Sequence, residues 1–400
     1  MTLIAIEGII DPQVGGFVTR GIEQAASDGA GAVLITIDTP GGLDEPMREI
    51  VKSITASPLP VIAYVSPSGG RAASAGAFIC MAADVVVMAP GTNIGAAHPV
   101  VYGVDLSSAE GEKVLNDSAA YLRSLAEASG RNADWAELAV RQSLSLTADE
   151  AVDQGVAEFK ADSVAAVLGE VDGFTTVSKQ LVVDTDGATV TEAAMSFRER
   201  FFHLVLNPNI VYLLFLLGLL ALAYELANPG IGFGAIAGFS ALALAVYALY
   251  ILPVNYAGVV VIVLGIALLS ADLFFPSHGL LSGSGVVSLI VGSFLLFDSS
   301  ASFLKVSPAL NLTLAALTAL FFIFVVRAAV SARRLPDQSG RNAMIGEVGY
   351  TRSDLDPMGQ VFVHGEIWSA ETVDGEAIPQ GEEIEVVGIS GLMLKVRRTV

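Results

Sequence analysis

The sequence predicts three fold classes in succession: an α/β domain, an all-α multi-pass membrane domain and a small all-β barrel. In residues 1–170, short apolar runs alternate with helical patterns, which is typical of a sheet layered with helices. No Lys or Arg occurs between Arg200 and Lys305, which is typical of membrane helices. From Ile345 onward, apolar and polar residues alternate between glycine turns, and this pattern indicates strands.

The composition agrees with this division and excludes several function classes. With 53% hydrophobic residues and a mean hydropathy of +0.63, the chain is too apolar for an ordinary soluble protein. A net charge of −20 opposes nucleic-acid binding, which needs a basic face. The single cysteine, Cys80, excludes a disulfide framework and a cysteine zinc site. We therefore expect no metal and no cofactor.

The α/β part contains the predicted elements in a regular order. Strands are predicted at 3–6, 32–37, 60–65 and 85–88. Helices are predicted at 12–28, from 44 to 55, from Ser74 onward, at 113–128, at 133–141 and from Thr147, which starts a short helix with an acidic first turn.

The stretch Ala63–Phe78 is the first candidate for chemistry. An apolar run ends at a Ser/Pro/Gly cluster and resumes as a helix of small residues, so Ser74 falls in the first turn of that helix. Free amides at a helix N-terminus stabilise an alkoxide or an oxyanion, and small neighbours such as Gly76 let a substrate backbone approach. The same Ala-Ser-Ala-Gly pattern also occurs where two helices pack tightly.

Two further features accompany the serine. Gly41 and Gly42 follow a strand and can direct backbone amides into a site, although an ordinary strand-to-helix turn has the same sequence. Lys113 lies 39 residues beyond Ser74. A glycine pair at a strand end, a serine at a helix start and a separate lysine together favour a catalytic site.

Four motifs in order resemble the long form of the NfeD family, membrane-bound serine proteases of the Clp protease and crotonase fold that are often encoded beside stomatin-like proteins. The motifs are Thr39–Gly42, Ala72–Gly76, Ala89–Ala96 and Ser143–Ala151. The resemblance covers nearly the whole chain. It implies a Clp/crotonase-like α/β fold for the first domain, and by analogy with that fold a homo-oligomer.

The resemblance also implies a catalytic Ser-Lys dyad. Ser74 corresponds to the nucleophile, Lys113 to the general base, and Gly42 and Ala75 to the backbone donors for the oxyanion. A lysine accepts a proton near pH 7 only if burial or a nearby cation lowers its pKa from about 10.4. A solvated lysine at a helix start is the alternative interpretation of Lys113, because residues 107–113 are polar.

The rival base is His98, 24 residues after Ser74. Soluble Clp-fold proteases use a Ser-His-acid triad with a histidine at similar separation, and Asp105 is the only third member that we can suggest. The other histidines, His203, His278 and His364, fall in the linker, the membrane region and the tail, where we expect structural roles.

Residues 171–207 are predicted to be a connector with short strands near 177–183 and 189–190. Phe197, Phe201, Phe202 and Leu204 form an apolar face that fits either a membrane surface or a helix packed on the first domain. Five spans are predicted beyond it, at about 210–226, 234–252, 256–275, 280–297 and 308–330.

The predicted membrane part repeats itself. Gly218, Glu225 and Gly238 recur 47 residues later as Gly265, Asp272 and Gly285, as do a proline and a further glycine. Two tandem helical hairpins followed by a fifth helix are therefore expected. Glu225 and Asp272 fall near the ends of their spans, where an acid at the water interface is commoner than a polar path.

The orientation is predicted from charges. Four arginines, Arg327, Arg333, Arg334 and Arg341, follow the last span and place that end in the cytoplasm. Five spans put the first domain on the outer face, and members of the resembled family typically begin with a signal sequence, although none precedes the first strand here. Four spans, favoured by Arg198 and Arg200, would leave both ends cytoplasmic.

The tail, Ile345 to Val400, contains about five short strands that suggest a closed barrel, and it resembles the OB-like domain that ends NfeD proteins. Its many acidic residues oppose nucleic-acid binding and favour protein docking. The predicted boundaries are 1–170 for the first domain, 171–207 for the connector, 208–330 for the membrane domain, 331–342 for a linker and 343–400 for the barrel.

Three functions compete. The first is a membrane-anchored endopeptidase that cuts apolar peptide segments, with a stomatin-like membrane protein as substrate or partner. The second is a non-catalytic scaffold that organises stomatin-like assemblies in the bilayer. The third is crotonase-type acyl-CoA chemistry, which needs paired carboxylates and a cationic pocket that the sequence near Gly41 and Ser74 does not show.

Overall fold

The computed structural model describes residues 1–100, 104, 107–227, 231–272, 275, 277, 279–297, 305–333 and 344–399; only the backbone is described at 227 and 323–333. The chain divides into two compact units, Met1–Ala319 and Leu320–Val400. Asp105 and His278, which the sequence singled out, lie outside the described residues.

The first part of the chain is an α/β domain, as predicted. Its strands are β1 (Thr2–Ile10), β2 (Val33–Gly42), β3 (Val61–Val65), β4 (Arg71–Ala73), β5 (Val85–Met88), β6 (Asn93–Gly95), β7 (Ser145–Thr147), β8 (Phe159–Lys160) and β9 (Thr191–Glu192). Its helices are α1 (Pro12–Ser27), α2 (Asp44–Ala56), α3 (Ala75–Ala82), α4 (Ala109–Ala128), α5 (Ala133–Arg141), α6 (Ala148–Asp153) and α7 (Val164–Val171).

The strands form two sheets that share β2. Strand β2 pairs in parallel with β1 along its whole length and with β3 through its first half, and β3 continues to β5 and β8. The second half of β2 pairs with β4 at Thr39, and β4 continues to β6 and then to antiparallel β7. The sequence did not predict β4, β6 and β7, because a three-residue strand is too short to show an alternating pattern.

The core lies between the main sheet and the helices on its two faces. Strand β3 is buried along its whole length, as expected of a parallel strand covered on both sides. One cluster on one face joins residues of α1, α2 and α3 to the sheet, and a second cluster on the other face includes α7. The strands that form from the apolar runs in the sequence therefore lie at the centre of the domain, between two layers of helices.

The connector differs from the prediction. In place of two short strands, the structure has an isolated bridge between Thr175 and Val182, and β9 pairs with the start of β1. Helix α8 (Phe197–Val205) packs on α1 through an Arg20–Glu199 ion pair of 2.8 Å. His203 Nδ1 lies 2.6 Å from Asp11 Oδ2, while Asp11 Oδ1 caps the first turn of α1. The sequence allowed this segment either to lie on a membrane surface or to pack on the first domain, and in the structure it packs on the first domain.

Five apolar helices follow, in agreement with the five predicted segments. They are α9 (Pro208–Ala227), α10 (Phe233–Ile251), α11 (Tyr256–Ala271), α12 (Leu280–Leu296) and α13 (Pro308–Arg333). Among the described residues, Pro208–Leu226 and Phe233–Ile251 are long and apolar enough to cross a bilayer, and the apolar parts of the other three are shorter. Five complete spans therefore stay a prediction.

The 47-residue repeat corresponds to two similar helical hairpins, α9 with α10 and α11 with α12. A Cβ on Gly265 would lie 2.9 Å from the carbonyl oxygen of Gly285, so glycine permits the close approach of the two helices. Glu225 accepts hydrogen bonds from the amides of Gly232 and Gly234, and Asp272 accepts them from the hydroxyls of Ser277 and Ser282. In both hairpins the acid therefore ties the end of one helix to the start of the next.

The second unit contains a closed five-stranded barrel, as predicted. Its strands are β10 (Val348–Thr351), β11 (Met358–Val363), β12 (Glu366–Thr372), β13 (Glu383–Ser390) and β14 (Met393–Arg398), in the order β10-β11-β12-β14-β13. Inward-facing residues such as Val361, Ala370 and Leu394 fill the interior without exposure to solvent. Closure leaves no open sheet edge.

The contact between α8 and α1 should depend on pH through His203. The hydrogen bond to Asp11 raises the pKa of His203 above its ordinary value, against the opposing effect of burial. A raised folded-state pKa stabilises the fold fully below about pH 6.5, and this contribution is lost as pH rises through the folded-state value. We expect amide hydrogen exchange in α8, corrected for its intrinsic pH dependence, to be slower at pH 6 than at pH 8.5. In His203→Gln the difference should disappear, and its persistence would assign the effect to other groups.

Candidate active site

Ser74 lies at the junction between β4 and α3, at the N-cap rather than within the first turn as predicted. Its backbone has φ 52° and ψ −116°, a conformation that L-residues rarely adopt. The amide of Ser74 donates to the carbonyl of Gly95 at the end of β6, 2.9 Å away. The small sheet therefore holds the serine in a strained turn at a helix N-terminus, where strain is often part of a functional site.

Two backbone groups flank Ser74. Ala75 is the first residue of α3, so its amide has no carbonyl of its own helix to bond. Gly42 ends β2 beside Ile10, and a Cβ on Gly42 would lie 2.2 Å from the carbonyl oxygen of Ile10. Only glycine fits at position 42, and it borders the same cavity as Ser74 and Ala75.

Gly76 has a different role from the expected one. A Cβ at this position would lie 2.6 Å from Thr39 Cγ2 and 3.4 Å from the Cβ of Ala72. The missing side chain therefore lets α3 pack on the end of β2, rather than letting a substrate approach.

Lys113 lies in α4, whose N-cap Ser108 accepts a hydrogen bond from Gly111. Ser74 and Lys113 border one cavity of about 550 Å³, a size typical of ligand sites. Lys113 is exposed in the isolated chain. The structure thus brings Ser74, Ala75, Gly42 and an exposed Lys113 to one cavity.

The cavity is partly apolar and partly charged. Met47, Phe78, Val100 and Val114 supply apolar surface. The charged residues on its walls are Asp44, Arg48, Glu110, Lys113 and Asp117. Among the described residues, no group of three or more His, Cys, Asp or Glu side chains could hold a metal ion. The arrangement suits a peptide with an apolar side chain.

His98 is oriented toward α5. Its Nδ1 lies 2.8 Å from the carbonyl oxygen of Val140, and because a carbonyl only accepts, Nδ1 carries a proton. Ala97, Pro99 and Val100 border the cavity, but the lining residues do not include His98. Of the two candidate bases, Lys113 is thus the one that borders the cavity with Ser74.

Arg48, which the sequence analysis did not single out, lies on one wall of the cavity together with its two carboxylate partners. Arg48 of α2 contacts Asp44 Oδ2 through Nε at 2.8 Å and Asp117 Oδ2 through Nη2 at 2.9 Å. Its guanidinium lies 4.4 Å from the ring centroid of Tyr121. Lys113, Asp117 and Tyr121 are spaced four residues apart on α4, which could have shown a common face, but nothing in the sequence pairs that face with Arg48.

Comparisons with known proteins support the same three-part division. Residues 1–193 match the family described as NfeD1b, N-terminal domain; residues 209–328 match the NfeD integral membrane domain; residues 341–398 match the NfeD-like C-terminal, partner-binding domain. The membrane-bound protease PH1510 of Pyrococcus horikoshii is 34% identical over an alignment of 391 positions, which covers 95% of this chain and 89% of that protein. The chain belongs to the NfeD family. The family prediction is confirmed, and the chain contains an integral membrane domain.

Two further similar proteins extend the comparison. The membrane protein NfeD1b of Bacillus subtilis is 28% identical over an alignment of 427 positions, which covers 99% of this chain and 92% of that protein. A solved structure, the 1510-N membrane-bound stomatin-specific protease in a lysine-to-alanine variant with a substrate peptide, is 35% identical. It covers 51% of this chain and 96% of its own, with a TM-score of 0.47.

The strained turn predicts an unusual order of stability. Replacing Ser74 with glycine relieves a conformation that costs about 1–3 kcal/mol in an L-residue, whereas alanine keeps that cost. Allowing for the entropy cost of glycine, we expect Ser74→Gly to be more stable than Ser74→Ala by about 1 kcal/mol. Thermal unfolding of both full-length variants in the same detergent measures the difference. A more stable alanine variant would show that the turn is relaxed.

Proposed function

We propose that the protein is a membrane-anchored serine endopeptidase in which Ser74 is the nucleophile and Lys113 the general base. The observation that carries this proposal is that Ser74, at a helix N-terminus, shares one cavity with Lys113, Gly42 and Ala75. A hydroxyl, an amine and two backbone donors around one space are the groups that acyl transfer requires.

The first half of the reaction forms an acyl-enzyme. Lys113 Nζ takes the proton of Ser74 Oγ as the oxygen attacks the scissile carbonyl carbon. The negative charge that develops on the carbonyl oxygen is stabilised by the amides of Ala75 and Gly42, which lie at the N-terminus of α3 and the end of β2. The C–N bond then breaks, and the lysine ammonium gives its proton to the leaving amine.

The second half releases the product. Lys113 takes a proton from a water molecule that attacks the ester carbon, and the same proton returns to Ser74 as the ester bond breaks. Because Lys113 is exposed in the isolated chain, the proposal requires that a bound peptide, or a second copy of the chain in a homo-oligomer, covers the amine. Burial then favours the neutral base.

For the substrate, we propose an apolar peptide segment of a stomatin-like membrane protein. The apolar walls of the cavity, among them Met47, Phe78 and Val114, fit an aliphatic side chain beside the scissile bond. The stomatin specificity is carried over from what the solved relative is said to act on. The barrel, in a region described as partner-binding, is proposed to hold a second part of the same partner.

The topology is also a proposal. We keep the domain boundaries at residues 170, 207, 330 and 342 that the sequence predicts. The peptidase domain is proposed to lie on the outer face and the barrel in the cytoplasm, because the arginines after the last span favour the cytoplasmic side.

The dyad is tested by cleavage of an apolar peptide and of a full-length stomatin-like protein by the intact chain in detergent. We expect Ser74→Ala and Lys113→Ala each to lower kcat/KM at least about a thousandfold, because each removes a group that acts only in the transition state. The double variant should be no slower than either single variant, since the two residues act as a unit.

His98→Ala serves as the matched control for Lys113→Ala and should retain activity. Loss of activity in His98→Ala with activity kept in Lys113→Ala would make the histidine the base. Cleavage that survives Ser74→Ala would show that Ser74 is not the nucleophile, whereas absence of cleavage by the wild type would favour the non-catalytic scaffold.

The orientation can be tested with single cysteines. Burial raises the pKa of Cys80 to about 12, so the native thiol is unreactive. We expect a membrane-impermeant maleimide to label Asp153→Cys in intact cells, because this exposed site lies in the first domain. Asp374→Cys, an exposed site in the barrel unit, should be labelled only after permeabilisation. Labelling of both or of neither in intact cells would contradict five spans.

A further inference from the structure

The three parts of the proposed site lie on or next to three helices, and Arg48 joins two of these helices, α2 and α4. Ser74 precedes α3, Gly42 lies two residues before α2, and Lys113 is on α4. Arg48 is on α2, and its guanidinium reaches α4 at Asp117 and Tyr121. The Tyr121 ring in turn lies 5.7 Å from the ring of Phe78 on α3. One side chain and one aromatic pair therefore connect the elements that carry the nucleophile, an oxyanion donor and the base.

Asp117, one of the partners of Arg48, is also close enough along α4 to affect the protonation of Lys113. Residues four apart on a helix lie next to each other, so Asp117 is the neighbour of Lys113 along the face of α4. A carboxylate beside a lysine favours the charged ammonium, which cannot accept the serine proton. In the structure, Arg48 occupies an oxygen of Asp117 at 2.9 Å and places a second positive charge on the same wall.

Among the described residues, four charged side chains besides Lys113 line the cavity. Asp44 and Arg48 come from α2, and Glu110 and Asp117 come from α4. The described cavity residues from α3 and from 97–100 include no charged side chain. Asp44 is bound to Arg48 as well, through Nε at 2.8 Å. Of the three carboxylates among the described lining residues, two are therefore held by one guanidinium.

We propose that Arg48 is a positioning residue for the reaction: it fixes α4 against α2 and keeps Asp117 from pairing with Lys113, so that the amine faces Ser74. The inference rests on the proposed Ser-Lys function. It assigns Arg48 no contact with the reacting atoms. Exposed ion pairs contribute little to stability, so the main effect is on the protonation and direction of the lysine and not on folding.

The test compares the pH dependence of kcat/KM for full-length variants in detergent. In Arg48→Gln, the rise of activity with pH should move to higher pH by about one unit, because the freed Asp117 favours the ammonium. Arg48→Lys keeps the charge but loses the two-sided contact, and it should fall between the wild type and Arg48→Gln. Arg48→Gln/Asp117→Asn should recover the wild-type pH profile, because the competing carboxylate is gone.

Arg123→Gln is the matched control. Arg123 is also an arginine with several ion pairs, to Glu127, Asp134 and Glu137, but it is not among the residues that line the cavity, and its profile should equal that of the wild type. An Arg48→Gln variant with an unshifted profile, or a double variant that stays shifted, would overturn the positioning role. Ser74→Ala and Lys113→Ala are assayed in parallel, and activity in these two would refute the dyad itself, whatever Arg48 does.

Discussion

The parallel pairing of β2 with two different sets of strands is the constraint on which the first domain depends. The strand passes from the main sheet, where Val33 to Ile37 pair with β3, into the small sheet, where Thr39 pairs with Ala72. Its end therefore lies beside the end of β4, and this brings Gly42 and Ser74 to one cavity although 32 residues separate them. A parallel sheet places the carboxyl ends of its strands at one edge, where ligand sites commonly form.

The same small sheet determines the backbone of the serine. Because the Ser74 amide is bound to Gly95, the chain must reverse within one residue to begin α3, and it does so at a positive φ. Thr39 contributes from the other side, since its side chain packs against Gly76 and its hydroxyl donates to the carbonyl of Gly8. A strained conformation persists only where the surrounding structure determines it completely, and these contacts supply that condition.

The membrane part and the α/β domain differ in how their charged side chains are paired. In the hairpins, Glu225 and Asp272 are each bonded to the segment that starts the next helix, so an acid in an apolar region has its hydrogen bonds satisfied. At the cavity, by contrast, an exposed lysine stands among carboxylates. Arg48 forms ion pairs with two of these carboxylates, those of Asp44 and Asp117.

Most of the architecture could be predicted from the sequence. Long apolar runs and their spacing determined the α/β class, the five apolar helices with their repeat and the closed barrel, because these elements are formed by local patterns of buried residues. The motifs around Thr39, Ser74 and Ser143 were sufficient to indicate the family. The family resemblance also implied roles for Ser74, Lys113, Gly42 and Ala75, which the structure brings to one cavity.

Tertiary structure alone decided the rest. Strands β4, β6 and β7 exist only through their neighbours, the side chain of His98 is oriented toward Val140, and Arg48 meets Asp117 across two helices. The physical reason is that hydrophobic periodicity is a local property, whereas the surroundings of a side chain depend on residues distant in the chain.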